Sequence, residues 1–124
     1  MAMELWTDRG TIKDPSEDQL HDTIVDLREG EPAVLSQAAE TFIQTMRTEH
    51  GFLLEKREGD ADSHYEAVPK DDRARVTTKA PWWAFWQKSS SIYYFTSDEI
   101  IEAFREYQEG NSDPVFVTWN QIWI

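Results

Sequence analysis

The sequence predicts an α+β domain in which an antiparallel β-meander of about five to six strands carries two main helices on one side. Two segments show the capping residues and apolar spacing of amphipathic helices, and short runs of strand character separated by turn signals lie between them. Sequential strands with short links favour antiparallel neighbours. With 124 residues the chain is long enough for one ordinary domain and too short for two, so we expect residues 1–124 to form a single domain.

The first helix is predicted within DPSEDQLHDTIVDLREGEP, residues 14–32. Asp14 is the expected N-cap, Pro15 suits the first helical position, and Glu17 can complete a capping box. Gly30 and Pro32 are the expected end of the helix. Helical spacing predicts one apolar stripe made of Leu20, Ile24, Val25 and Leu27.

Four runs of strand character follow, at residues 33–37, 40–47, 51–58 and 63–68. Residues 51–68 are predicted to form a hairpin with Gly-Asp-Ala-Asp, residues 59–62, at its tip. Residues 73–78 are expected to add a fifth strand. Within the second run, Phe42 and Gln44 should share one face while Ile43 and Thr45 share the other.

The second helix is predicted within FTSDEIIEAFREYQEGN, residues 95–111, followed by a last strand. Thr96 or Ser97 can cap this helix, Glu99 is the box partner of Thr96, and Gly110 should end it. The expected apolar stripe consists of Ile100, Ile101, Phe104 and Tyr107. In the last strand the alternating residues Val115, Val117 and Trp119 are expected to pack on one face.

Composition narrows the classes of function. The chain has no cysteine, which excludes disulfides and thiolate chemistry and suits a reducing compartment. The sequence shows no secretory signal and no apolar run of the roughly 20 residues that a membrane-spanning helix needs, so we expect a cytoplasmic protein. Its net charge of −12 disfavours nucleic acid and anionic membranes as partners and favours cationic ones.

No motif for catalysis, for a cofactor or for a metal is present in the sequence. His21, His50 and His64 are scattered and lack ligand spacing, so we expect no metal and no cofactor. Asp60 and Asp62 have some likeness to a calcium loop, but the rest of that pattern is missing, and a hairpin turn is the better interpretation.

Glu55 and Glu66 are expected to face each other across the predicted hairpin. Paired carboxylates can perform acid–base chemistry, which would suit a small-ligand binder or an enzyme with an aromatic pocket. The alternative is a solvated sheet face on which Lys56, Arg57 and Glu66 pair across strands. The second interpretation is favoured because no nucleophile or oxyanion motif accompanies the pair.

Residues 73–97 form an aromatic and basic segment that holds Trp82, Trp83 and Trp86. The segment contains no Asp or Glu and four basic residues, which leaves a charge of −16 on the rest of the chain. Such a composition suits single-stranded nucleic acid, a membrane interface, a protein interface or simply a hydrophobic core. Among the functional alternatives protein binding fits best, because tryptophan and arginine dominate interface hot spots.

The order of the elements resembles the small immunity proteins of bacterial polymorphic-toxin systems. The resemblance is carried by PSEDQLHDTIVDL, by FIQT at residues 42–45, by GFLLEKREG and HYEA at residues 51–59 and 64–67, and by FTSDEIIEAFREYQEG at residues 95–110. It implies an acidic, cytoplasmic, non-enzymatic protein that neutralises a toxin by covering it. Residues 68–91 look like an insertion relative to that pattern.

We therefore expect a non-enzymatic domain that binds another protein, with a basic toxin domain as the sharpest version. The first alternative is the small-ligand binder or enzyme that uses Glu55 and Glu66. The second alternative is self-association, in which the basic segment of one copy meets an acidic surface of the next. The residues expected to contact the partner are Glu55, Asp60, Asp62, Glu66, Trp82, Trp83 and Trp86.

Overall fold

The computed structural model describes residues 3–71, 76–77 and 91–122, with side chains described for residues 3–71 and 93–122. This part of the chain contains two helices, α1 (Glu17–Asp26) and α2 (Ser97–Gln108). Its strands are β1 (Glu4–Thr7), β2 (Gly10–Lys13), β3 (Pro32–Ala38), β4 (Thr41–Thr48), β5 (Gly51–Glu58), β6 (His64–Pro69), β7 (Val76–Thr77), β8 (Ser91–Ile92) and β9 (Val117–Ile122).

Seven of these strands form one antiparallel sheet in the order β2-β1-β3-β4-β5-β6-β9. The predicted α+β fold with an antiparallel meander is confirmed, as are the four strands β3 to β6 and both of the turns that connect β4 to β5 and β5 to β6. The sheet is larger than predicted because it includes the hairpin β1–β2. β7 and β8 pair separately as a short two-stranded ribbon, so only Val76–Thr77 of the predicted fifth strand is described as a strand.

The helices pack against one face of the sheet, which we call the core face. Leu20 and Ile24 from α1 and Ile100, Phe104 and Tyr107 from α2 are all buried. They share one continuous hydrophobic core with sheet residues including Leu5, Leu35, Ile43, Leu54 and Val117. The last turn of α2 also reaches the segment that leads into α1, because Gln108 donates a hydrogen bond from Nε2 to the carbonyl of Pro15.

The N-cap of α1 lies two residues later than predicted. Ser16 is the N-cap: its hydroxyl accepts a hydrogen bond from the backbone N–H of Gln19 at 3.1 Å, and the Gln19 side chain accepts one from the N–H of Ser16 at 2.9 Å. Asp14 has φ of 47°, outside the extended region that an N-cap adopts, and its carboxylate accepts from the N–H of Met3. The predictions for Asp14, Pro15 and Glu17 were therefore wrong, whereas the Thr96–Glu99 box of α2 is confirmed.

The sequence spacing predicted that Val25 and Val115 pack on the core, but both side chains are exposed. Val25 is 48% exposed, because Leu20, Ile24 and the C-cap residue Leu27 are enough to fill the core side of this short helix. Val115 is 79% exposed because β9 begins only at Val117. Both side chains are available as surface controls in stability measurements.

Gly51, the first residue of β5, allows a close approach between two backbone segments. Its φ is +141°, and a Cβ atom at this position would lie 3.0 Å from the carbonyl oxygen of Phe95 and 3.1 Å from the Cβ atom of Tyr94. The next residue, Phe52, exchanges two backbone hydrogen bonds with Phe95, at 2.9 and 2.8 Å. This pairing holds the segment that leads into α2 against β5.

Substitution of this glycine should therefore be costly. Gly51→Ala is expected to lower the free energy of unfolding by about 1 to 3 kcal/mol, as measured by denaturant titration, because it adds both backbone strain and a steric contact. Gly59→Ala is the matched control, since Gly59 has φ of +94° but nothing within 4 Å of an added Cβ. Equal losses for the two variants would show that the contact with Phe95 and Tyr94 is not a source of the cost.

Candidate functional site

The face of the sheet opposite the core face, which we call the outer face, is where the described charged and exposed apolar side chains meet. Alternation along β4 separates the two faces: Ile43 and Thr45 are buried, while Phe42, Gln44 and Met46 point the other way. This confirms the predicted faces of that strand. In the part of the chain that the structure describes, both helices pack on the core face and no helix covers the outer face.

One row of residues crosses the outer face in register, at right angles to the strands. We call it the central row, and consecutive members are direct cross-strand partners: Trp6, Val34, Gln44, Glu55, Glu66 and Asn120. The row changes character along its length. It is apolar at Trp6 and Val34, neutral at Gln44, and acidic at Glu55 and Glu66.

The acidic end of the central row confirms that Glu55 and Glu66 face each other across β5 and β6. Glu55 is held in place, because Gln44 donates a hydrogen bond from Nε2 to its Oε2 at 3.0 Å and His64 Nε2 lies 3.6 Å from its Oε1. Glu66 is exposed, and no ion pair or side-chain hydrogen bond holds it among the described residues. Two like charges in direct cross-strand register destabilise a sheet, so this end of the row suits an incoming cation.

The neighbouring row on the outer face holds Phe42, Arg57 and His64 as cross-strand partners, and the charge of Arg57 is already paired. Arg57 lies over the ring of Phe42 at 5.5 Å from its centroid, donates from Nε to His64 Nδ1 at 3.2 Å, and pairs with Glu40 at 2.7 Å. Arg57 therefore does not neutralise Glu66, contrary to the predicted cross-strand pairing. Its charge is already engaged by Glu40.

Lys56 was also predicted to pair on the solvated face, and the structure places it on the core face. It is 6% exposed; its Nζ lies 2.6 Å from Glu58 and 3.1 Å from the carbonyl of Ser112. The same ammonium lies 4.5 Å from the ring centroid of Trp119 and 5.6 Å from that of Tyr65. Lys56 is thus a buried structural cation on the core face and does not pair with Glu55 or Glu66.

Two cavities open on the outer face and meet at Gln44. The smaller, of about 110 Å³, is lined by Pro32, Gln44, Thr45, Met46, Leu53 and Glu55. The larger, of about 650 Å³, lies toward the apolar end of the central row and includes Val34, Phe42 and Gln44 in its lining. A third cavity of about 340 Å³ lies elsewhere, between the β1–β2 hairpin and α1.

Two further predicted contact residues, Asp60 and Asp62, lie in the turn between β5 and β6 and not on the strands that carry Glu55 and Glu66. Asp60 is a turn residue, since its carboxylate accepts a hydrogen bond from the N–H of Ser63 at 2.9 Å, and the backbone carbonyl of Asp62 accepts one from Gln121. The turn interpretation of this stretch is confirmed. The predicted anchors Trp82, Trp83 and Trp86 lie outside the described residues.

Among residues 3–71 and 93–122, no group of three or more histidine, aspartate or glutamate side chains is arranged to hold a metal ion. The helices of the described chain are also too short and too polar to cross a bilayer. The outer face combines a carboxylate pair on β5 and β6 with exposed apolar side chains, Trp6 on β1 and Met46 on β4.

Neither a protein-family model nor a curated protein nor a solved structure matches this chain. The resemblance to immunity proteins therefore stays a prediction.

Sequence reasoning found the acidic end of the central row and missed its apolar end. Trp6 lies on β1, a strand of four residues that was not predicted, and is 45% exposed. Met46, which lies between Pro32 and Leu53 in the next row, is 41% exposed. The alternation in ELWT and GTIK on either side of Asp8-Arg9 was the available signal for the β1–β2 hairpin.

Proposed function

We propose that this chain is a cytoplasmic, non-enzymatic protein-binding domain that docks a basic partner on the outer face of its sheet. The observation that carries the proposal is the direct register of Glu55 and Glu66 on a face that no described helix covers. Within the described residues, the basic side chains next to Glu55 in the chain, Lys56 and Arg57, are engaged by Glu58 and Glu40.

Electrostatics supports a cationic partner at two ranges. At long range, a net charge of −12 accelerates the encounter with a basic protein and repels nucleic acid. At short range, a cation placed between Glu55 and Glu66 relieves their mutual repulsion. Contact with a partner at this face leaves the hydrophobic core undisturbed, because the core is built on the opposite face of the sheet.

The exposed apolar side chains support a protein partner over a free ion. Trp6 and Met46 remain more than 40% exposed on the same face as the two glutamates. A mixture of aromatic and aliphatic anchors with a charged rim is typical of protein interfaces. The sharpest form of the proposal is immunity against a basic toxin domain, which the resemblance of the elements implies.

A charge reversal on the outer face tests this function. Glu66→Lys is expected to weaken binding of a basic toxin domain encoded beside this gene by about tenfold or more, and to abolish rescue of cells that express that domain. Binding is measured by titration calorimetry at two salt concentrations. The expected reason is direct repulsion at the contact.

Glu109→Lys is the matched control, because it changes the net charge equally but lies at the C-cap of α2, on the helix side of the molecule. It should slow association slightly and leave rescue intact. If both reversals weaken binding equally, the effect is one of overall charge and the outer face is not the docking surface. Unchanged binding for Glu66→Lys also contradicts the proposal.

A further inference from the structure

We infer that the central row recognises a partner segment of defined chemistry: an arginine that sits between Glu55 and Glu66, followed along the segment by an apolar side chain that packs on Val34 and Trp6. This inference rests on the proposed function and specifies the partner. Charge complementarity fixes which end of the row receives the arginine. The exposed tryptophan fixes the apolar end.

The acidic end is better matched to a guanidinium group than to an ammonium group. Glu55 is oriented by Gln44 and His64, while Glu66 is free to adjust, so one carboxylate is fixed and the other can close on the ligand. The planar guanidinium has five donors and can bind two carboxylates at once. It also loses less hydration than an ammonium when it leaves water.

The wall beside the acidic pair accommodates the aliphatic stem of that arginine. The smaller cavity is bounded by Met46, Leu53 and Pro32 and reaches Glu55. Its volume of about 110 Å³ corresponds to roughly three or four water molecules, well below the roughly 300 to 1,000 Å³ of a typical small-molecule site. A cavity of this size fits part of one side chain, with methylene groups on the apolar wall and the charged head on the carboxylates.

The spacing of the strands fixes the distance between the two anchors. Adjacent strands lie about 4.8 Å apart, so Glu66 is roughly 14 Å from Val34 and roughly 19 Å from Trp6 along the row. The larger cavity has a mixed lining, with Val34 and Phe42 beside Glu4 and Gln37, so the apolar contact of the partner is assigned to Val34 and Trp6 themselves. An arginine midway between Glu55 and Glu66 is therefore about 12 Å from Val34 and about 17 Å from Trp6, so the partner segment lies across the strands with its arginine and its apolar residue about 12 to 17 Å apart.

Two small cations test the arginine end without the need for a known partner. Ethylguanidinium and n-butylammonium are titrated separately into the ¹⁵N-labelled chain at constant ionic strength, and amide shifts are followed by NMR. Ethylguanidinium should cause saturable shifts at Gln44, Leu53, Glu55 and Glu66 with a millimolar dissociation constant, and it should bind several-fold more tightly than n-butylammonium.

Neutral variants locate the site. Glu55→Gln and Glu66→Gln should each weaken ethylguanidinium binding by roughly threefold to tenfold, whereas Glu109→Gln should leave it unchanged. Circular dichroism verifies that each variant is folded. Shifts spread over the whole acidic surface, an equal loss in Glu109→Gln, or equal affinity for n-butylammonium would overturn the assignment to arginine.

The apolar end and the proposed function have separate readouts. Trp6→Ala should leave ethylguanidinium binding intact but weaken binding of the basic protein domain, and an unchanged protein affinity would overturn the apolar anchor.

The inference and the proposed function can fail separately. If Glu66→Lys abolishes protein binding although ethylguanidinium does not bind at the central row, the docking surface stands and the arginine inference fails. If ethylguanidinium seats there and protein binding survives Glu66→Lys, the proposed function fails instead.

Discussion

Phe104→Ala should lower the free energy of unfolding by about 3 to 5 kcal/mol, the range expected when a large aromatic ring is removed from a closed core. Phe104 is fully buried in the middle of α2, within the core that joins both helices to the sheet. The loss combines the lost transfer free energy of the ring with the cost of the cavity left behind. Because a domain of this size has about 5 to 15 kcal/mol of stability in total, the variant should unfold at a much lower urea concentration.

Val115→Ala is the control for this measurement. Val115 is 79% exposed, so its truncation should change the free energy of unfolding by no more than about 0.5 kcal/mol. A loss below about 1 kcal/mol for Phe104→Ala would contradict the packing of α2 on the core face. A similar loss in both variants would show that the end of the chain is packed differently from the structure.

Tyr107→Phe should reduce the loss of stability that the protein suffers at high pH. Burial raises the pKa of the Tyr107 phenol to about 12, and the negative charge of Glu58 acts in the same direction. The phenol of an unfolded chain titrates near pH 10, so between about pH 10 and 12 the unfolded state releases a proton that the folded state keeps. The stabilising contribution is fully present below about pH 10 and is lost as the pH rises through 12, by about 2 to 3 kcal/mol.

At neutral pH the same substitution should be nearly silent. The Tyr107 hydroxyl is buried and has no hydrogen-bond partner among the described residues, so its removal should change stability by less than about 1 kcal/mol. Tyr65→Phe is the control: it retains Tyr107 and should therefore lose as much stability at high pH as the parent protein. Urea titrations at pH 7, 9, 11 and 12 test the difference, and an alkaline loss in Tyr107→Phe equal to that of the parent protein would refute the assignment.

The parts of the fold that could be predicted are those whose signal lies within a few residues. The capping box at Thr96 and Glu99, the turn at Gly59 and the alternation from Phe42 to Thr45 all express local chemistry, and each is confirmed. The cap of α1 was misplaced because Asp14, Ser16 and Glu17 all offer side-chain oxygens near the start of the helix. Only the backbone geometry, with Asp14 at positive φ, decides among them.

The acidic end of the candidate site could be predicted from the sequence, and its apolar end could not. The pairing of Glu55 with Glu66 follows from the length of one hairpin, whereas their alignment with Val34 and Trp6 depends on the register of four neighbouring strands. The position of Lys56 on the core face also depends on contacts that are distant in the sequence. Its burial depends on the Trp119 ring and the Ser112 carbonyl, more than fifty residues away in the chain.

The alternation along β4 and β5 has a consequence for divergence and for engineering. Gln44 and Glu55 lie on the outer face, while their chain neighbours Thr45 and Leu54 are buried. Residues that would set the choice of partner are therefore interleaved with residues that hold the domain together, yet the two sets point to opposite sides. A library that varies only the central row should yield binders of new specificity from one unchanged scaffold.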